Sequence, residues 1–329
     1  MIRVLHLIDD AKLGGVNRTL DAQAELLAGE IEARRHLLGP GQPEPDLEGI
    51  DVVIVHFTLA WRKMPFMLRL WSRLGGRCLV IVEHSYTEAY ERCLVPNRLR
   101  FRSMLRLGMA LADKVVAVSH GQARWLREAG IAPARKVQVI EPLSDLAPFH
   151  AVPPLRPGRG PLRLGYYGRY APQKGLEQLI DAMRLLPPGT ATLAMAGYGP
   201  DEEALRAAAA DLPEVTIGGP TSHPEAFLED VDAIVMPSRW EAYGQVGVET
   251  RAAGRALLVA DLDGLTEQVP PELLIPNATP EALAARIRWL SHQDVVGLGE
   301  SLRATAADAQ DRHHRGWLSL LRGLKPELA

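Results

Sequence analysis

Runs of consecutive apolar, largely β-branched residues alternate along the chain with segments whose apolar positions recur at helical spacing. RVLHLI (3–8), DVVIVHF (51–57), CLVIVEH (78–84), KVVAVS (114–119) and KVQVIE (136–141) predict strands in the first half. LRLGYYG (162–168), ATLAMAG (191–197), EVTIGG (214–219), DAIVMPS (232–238) and ALLVAD (256–261) do so in the second. Strands apolar at successive positions are covered on both faces, and with helices between them this means parallel sheets. Leu176, Leu179, Ile180, Met183 and Leu186 form the stripe of a helix lying on such a sheet. Between the two series runs AVPPLRPGRGP (151–161), whose prolines and glycines continue neither element. The pattern predicts an α/β chain of two doubly wound, Rossmann-like domains, residues 1–152 and 153–310, facing across a cleft, with a terminal helix over 311–329.

Composition fits that division, since 329 residues at 47% hydrophobic content can fill two ordinary cores. A net charge of -3 gives no overall pull toward nucleic acid. Cys78 and Cys93 are the two cysteines, too few for a disulfide framework, so a reducing compartment is expected. MIRVLHLIDD reads as a first strand, and no apolar run approaches the roughly 18 residues of a membrane span. A soluble, cytoplasmic protein is the expectation. One local imbalance modifies it: residues 61–106 carry ten Lys or Arg against three Glu. There WRKMPFMLRLWSRLGGR and RLRFRSMLRLGMAL interleave cations with Trp61, Phe66, Trp71, Phe101, Leu105 and Met109. Such a stretch is an interfacial segment for an anionic membrane. Alternatively Phe101, Leu105 and Met109 face the core while Arg98, Arg102 and Arg106 form a solvated stripe.

Parallel α/β sheets bind ligands at the carboxyl ends of their strands. After the first strand Gly14 and Gly15 precede a helix starting near Val16; they either let the backbone approach a ligand or serve a turn needing positive φ. In GYYGRYAPQKGLEQL, Arg169 and Lys174 either converge on one anion or stand as solvated charges. PSRWEAYGQVGVETRAAG (237–254) holds Glu241 and Glu249 on either side of a turn, neither expected to pair with a neighbouring base. The turn at Gly244 and a helix beginning near Gln245 and Val246 make an anion site of backbone N–H groups, which a diphosphate would satisfy. Glu249 is then placed to accept hydrogen bonds from ribose hydroxyls, and Glu241 to reach hydroxyls of whatever the diphosphate carries.

These residues resemble the family 4 glycosyltransferases, retaining enzymes of the two-domain GT-B type. The resemblance covers most of the chain and is strongest from Leu164 to Val269, in GRYAPQKGLEQLIDAM, LAMAGYGPDEEAL, DAIVMPSRWEAYGQVGVETRAAG and ALLVADLDGLTEQV. LGGVNRTL and VVAVSHGQARWL resemble the family's glycine loop and fourth-strand motif. The resemblance implies transfer of a hexose-type sugar from a UDP- or GDP-linked donor to an acceptor hydroxyl with retention, without metal or cofactor. Arg169 and Lys174 would neutralise the diphosphate, Glu249 hold the ribose and Glu241 the transferred sugar. Gly15, Gly168, Gly197, Gly199, Tyr243, Gly244, Gln245 and Val246 would complete the donor site. His84 corresponds to a histidine beside the reacting sugar, or is a satisfied loop histidine; with Gly14 and Arg18 it would serve the acceptor.

His56 is a weaker case, and His120, His313 and His314 read as surface or capping residues. DLD (261–263) resembles the metal-binding pair of the other glycosyltransferase fold but ends a strand here. VIEPLSDLAPF lacks the family's Asn-Gly pair, and the first domain is short for the family, departures that bear on acceptor choice. In the family a helix like RHHRGWLSLLRGL crosses back to the first domain, where Trp317 and Leu321 would dock. The acceptor expected is a lipid or lipid-linked glycan at the inner membrane face, with peripheral contact through residues 61–106 and no nucleic acid partner. A soluble acceptor, a sugar-nucleotide epimerase and a non-catalytic binding protein are the alternatives.

Overall fold

The computed structural model describes residues 1–9, 15–39, 42–156 and 160–326, without the side chains of residues 15 and 18. The chain divides into two units, Met1–Ser144 with Ala309–Ala329, and Asp145–Asp308. Each is built on a six-stranded sheet whose pairings are all parallel.

The first sheet comprises β1 (Ile2–Ile8), β2 (Ile31–Leu37), β3 (Val52–Val55), β4 (Cys78–Glu83), β5 (Lys114–Ala117) and β6 (Val137–Val139), in the order β2-β1-β3-β4-β5-β6. The second comprises β7 (Leu162–Arg169), β8 (Ala191–Tyr198), β9 (Val215–Gly218), β10 (Ala233–Met236), β11 (Ala256–Ala260) and β12 (Leu274–Ile275), in the order β12-β11-β10-β7-β8-β9. Each sheet therefore winds one way from its first strand and then the other. That reversal leaves a crevice between β1 and β3, and another between β7 and β10, at the carboxyl ends where such sheets take ligands.

Ten of these strands overlap the apolar runs read above, none extending more than one residue beyond its run; β2 and β12 do not. IEARRHL has Glu32 to Arg35 exposed and only Ile31 fully buried, as suits an edge strand, so it never reads as an apolar run. β12 is two residues long. By contrast β3 and β11 are buried at every position. Helix Leu176–Arg184 buries Leu176, Leu179, Ile180 and Met183, with Leu186 half-buried just beyond its end.

Of the two readings of the basic region 61–106, the one that turns Phe101, Leu105 and Met109 to the core holds, and the interfacial role of these three is corrected. Leu105 and Met109 are fully buried in the first core, and Phe101 packs against it, so none of the three is a surface contact. Arg102 holds Glu91 through two bonds of 2.6 and 2.9 Å, and Arg106 donates to the carbonyls of Gly130 and Ala129 at 2.7 and 2.8 Å. Both charges thus close tertiary contacts. Helix Met64–Ser72 differs: Met64, Met67 and Leu70 point inward, while Leu68 (46%), Trp71 (52%) and the preceding Trp61 (42%) are exposed. Among the described residues no helix is long and apolar enough to cross a membrane.

Helix Ala309–Leu324 packs within the first unit. It buries Trp317, Leu320 and Leu321, and Gln138 of β6 donates to the Gly316 carbonyl at 3.2 Å. A Cβ on Gly316 would come within 3.3 Å of the Ile140 side chain, a tight contact that glycine relieves. His313, expected at the surface, is 2% exposed, with Nδ1 2.7 Å from the Glu141 carbonyl and its ring beside Trp317. The expectation failed because the two histidines sit side by side in a charged string, which reads as solvated; only the helix's apolar face shows which one turns inward.

Candidate active site

The loops leaving β7 and β10 meet at the reversal point of the second sheet. Arg239 N–H donates to the Gln173 carbonyl at 2.8 Å, and Gln173 Nε2 donates to the Trp240 carbonyl at 2.9 Å. Lys174 Nζ donates to Glu241 Oε2, to which Ser238 Oγ is 3.4 Å away. The pair is largely shielded, with side-chain exposures of 20% and 13%, so solvent screens it less than a surface pair. Glu241 is therefore not without a base, as its neighbours in sequence suggested: its partner is 67 residues away and arrives through the fold. Its own N–H donates to Asp263 Oδ2 at 3.2 Å, which gives the acidic string 261–263 a structural task.

Gly244 sits at the N-cap of helix Gln245–Ala252 with φ 87, and a Cβ there would come within 2.9 Å of Leu265 and of Met236. The positive φ favours glycine here, and the turn it makes begins a helix whose first N–H groups have no carbonyl one turn earlier in the helix. Gln268 secures it: its Nε2 donates to the Tyr243 and Gly244 carbonyls at 2.5 and 2.9 Å, and the Gly244 carbonyl also accepts the Gly247 N–H at 2.9 Å. Glu249, one turn in, is 2% exposed and accepts from Tyr167 Oη at 2.8 Å. Arg169 lies exposed at the end of β7, with its carbonyl accepting from Tyr166 Oη at 2.9 Å. Burial, with Glu241 nearby, holds the Tyr166 phenol well above its ordinary range, so it stays a donor. Gly168 and Gly197 pair in register near the carboxyl ends of β7 and β8, with Gly199 just beyond.

In the first unit, His84 follows β4. His56 Nδ1 is 3.0 Å from His84 Nε2, and His6 Nδ1 is 2.9 Å from His56 Nε2, so three imidazoles stand in series. Burial holds His6 at about 3, with Arg35 adding to the effect, and His84 at about 4. His56 is lowered well below its ordinary value by burial and then by the other two rings and Arg35. Burial likewise brings His313 to about 4, whereas Glu83 is raised by burial to about 7. Gly15 begins helix Gly15–Leu26; Gly14 and the Arg18 side chain lie outside the described residues.

These shifts predict acid lability. Unfolded, a histidine protonates near pH 6.5, and here the fold delays that to about 3 to 4. Between those values the unfolded chain binds more protons, so stability is complete above pH 6.5 and is lost as pH falls, by about 1.4 kcal/mol per unit for each histidine. Glu83 works oppositely, gaining stability as pH falls from 7 to 4.5, and offsets one of the four. Calorimetry is expected to show the unfolding temperature dropping steeply from pH 6.5 to 4; a flat profile would contradict the burial of neutral histidines.

Sequence reasoning missed His6, Tyr167, Ser238 and Gln268. His6 lies inside an apolar strand and Tyr167 in another, and neither advertises a polar task; Gln268 lies within ALLVADLDGLTEQV, but only the carbonyls it faces give it a task.

The profile described as Glycosyl transferases group 1 matches residues 161–293, and Glycosyltransferase Family 4 matches 34–147. A glycogen synthase of Mycobacterium tuberculosis is 35% identical over 161 residues, 46% of this chain and 36% of that protein. A D-inositol 3-phosphate glycosyltransferase of Jonesia denitrificans is 30% identical over 245 residues, 58% of this chain and 51% of that protein. The chain thus spans about half or less of these relatives' lengths. The crystal structure of Anabaena HepE in complex with UDP-glucose superposes with a TM-score of 0.73 at 17% identity, covering 97% of this chain and 99% of that one. With two profiles dividing the sequence between them and two parallel Rossmann-like sheets beneath, the chain belongs to glycosyltransferase family 4 and has the GT-B fold.

Proposed function

We propose that the protein transfers a sugar from a nucleoside-diphosphate donor to an acceptor hydroxyl with retention of configuration. The observation that carries this reading is the interlaced pair of loops in the second unit, with Lys174 on Glu241 and the helix N-cap Gly244 three residues beyond Glu241 in the chain. The donor's diphosphate lies against Arg169, Lys174 and the N–H groups of that helix end, and Glu249 accepts from the ribose hydroxyls. As the bond from sugar C1 to phosphate oxygen breaks, negative charge grows on the diphosphate, so these groups stabilise the transition state more than the ground state. The acceptor oxygen bonds to C1 on the same face, and its proton passes to the departing phosphate oxygen. Glu241, oriented by Lys174, holds hydroxyls of the moving sugar. No carboxylate is assigned a nucleophilic role.

UDP-sugars are the first donors to test, since HepE was crystallised with UDP-glucose. Thermal shift against UDP, GDP, ADP and their sugars tests the reading directly. A ligand at 100 times its Kd stabilises by about 2.7 kcal/mol, enough to raise the unfolding temperature by several degrees. A nucleotide series that shifts nothing would remove the donor site.

For the acceptor we infer a lipid or lipid-linked glycan. Trp61, Leu68 and Trp71 are exposed near Arg62, Arg69 and Arg73 in the chain. Although Arg69 and Arg73 share Glu44 at 2.6 and 3.1 Å, the three arginines leave the group net basic, as in an element that seats on an anionic membrane. The protein is expected to float with anionic vesicles at low salt and to be released at high salt, and Trp61→Ser with Trp71→Ser should abolish flotation. If the native protein stays at the bottom of a low-salt gradient, the membrane contact is dismissed and a soluble acceptor takes its place.

A further inference from the structure

The three-histidine series in the first unit is set up by strand register. His6 of β1 pairs with Ile54 of β3, and His56 lies two positions beyond Ile54 on the same face. Ile54 in turn pairs with Val80 of β4, so His56 is level with Val82, and His84 lies two positions farther on that face again. The histidines climb a diagonal toward the carboxyl ends, one step per strand, across the crevice where the sheet reverses. Diagonal neighbours are within reach of long side chains, and the rings stand 5.1 and 5.3 Å apart between centroids. His6 is 3% exposed and His56 8%.

The geometry points to His6 and His56 as positioning residues that together fix which ring nitrogen of His84 carries its hydrogen. A neutral imidazole has one N–H and one bare nitrogen. His56 uses both nitrogens, one toward each neighbour, so it donates to one and accepts from the other. Both hydrogen bonds therefore run in the same direction, and the series has two arrays. In the first, His6 Nδ1–H donates to His56 Nε2, His56 Nδ1–H donates to His84 Nε2, and His84 holds its hydrogen on Nδ1. In the second every bond reverses: His84 Nε2–H donates inward, its Nδ1 is bare, and His6 holds its hydrogen on Nε2. The two end nitrogens, His84 Nδ1 and His6 Nε2, always have opposite character. Neutrality is the condition for this, and burial keeps all three rings neutral near pH 7. What the array decides in catalysis, whether His84 donates or accepts beside the reacting sugar, rests on the proposed transferase reading; the coupling of tautomers does not.

Long-range ¹H–¹⁵N correlation spectra of the full-length protein labelled with ¹⁵N-histidine read each tautomer directly. At pH 7.5 the wild-type protein is expected to show one fixed neutral tautomer for each of His6, His56 and His84, with both bonds in the same sense. His56→Phe, and separately His6→Phe, should move the His84 nitrogens to averaged or exchanged values. The second variant alters a ring two steps away, so a change at His84 there cannot come from a lost direct contact, and it serves if His56→Phe does not fold. An unchanged His84 tautomer in His6→Phe, or averaged tautomers in the wild type, overturns the coupling. In transfer assays His6→Phe is expected to lower kcat about tenfold at unchanged donor affinity, part of the ~10²–10⁴-fold that a proton-handling group supplies. A shifted His84 tautomer with unaltered kcat would leave the coupling standing and count against the transferase role of His84.

Discussion

Replacing Lys174 by methionine is expected to lower transferase turnover about 10²–10³-fold while donor affinity falls much less, the signature of a charge used as the leaving group departs. Methionine keeps most of the side-chain length and removes the ammonium that Glu241 accepts from. The loops are held together independently by the Arg239–Gln173 and Gln173–Trp240 bonds, so the backbone should survive the change. Adding Arg169→Ala should cost further, but by less than the product of the single losses, because on the proposed reading both cations face one diphosphate. Arg169 is exposed and sits in no packed environment, so its loss should leave stability unaltered. Single-turnover kinetics with a saturating nucleotide sugar separate chemistry from binding. A double variant that turns over at the wild-type rate would falsify the assignment of the diphosphate site.

Glu249→Ala should act on binding instead. A carboxylate that accepts two ribose hydroxyls makes two charge-assisted hydrogen bonds, each contributing about 1.5–3 kcal/mol, so the Kd for the nucleotide should rise about 10²-fold or more. Tyr167→Phe is the informative companion, since it removes only the hydroxyl that donates to Glu249 Oε2 at 2.8 Å. It leaves the carboxylate in place but less firmly oriented, and a rise of about tenfold or less is expected. Calorimetric titration with the nucleotide that gives the largest thermal shift measures both. Equal affinities for wild type and Glu249→Ala would mean that the ribose is held elsewhere.

The fold was legible because its strands are covered on both faces: Val52–Val55 and Ala256–Ala260 have no polar face to disguise them. Edge strand Ile31–Leu37 escaped for the opposite reason, its exposed charges resembling a loop. At the candidate site, residues close in sequence were readable as a group: Gly244, Gln245 and Glu249 follow one another through a turn and a helix whose start glycine dictates. What could not be read was pairing across the sheet. Lys174 and Glu241 meet because β7 and β10 are neighbours although 63 residues lie between the end of one and the start of the other, and periodicity carries no information about strand order. His6, His56 and His84 needed still more, since a shift of one residue in register would turn a histidine to the opposite face. In the basic stretch 61–106 the sequence left two readings open, and the helical spacing of Phe101, Leu105 and Met109 proved to mark the inward face of their helix.

The grouping of Ala309–Ala329 with Met1–Ser144 bears on how this polypeptide can be dissected. Cutting after Ser144 would strip the leading fragment of the stretch that shields Ile140 and carries Trp317, Leu320 and Leu321, leaving a greasy scar prone to clumping. Supplying that tail as a separate peptide, or stitching it on through a short tether, should restore solubility to the fragment. The middle portion, Asp145–Asp308, is by contrast one uninterrupted length and the better choice for expression in isolation.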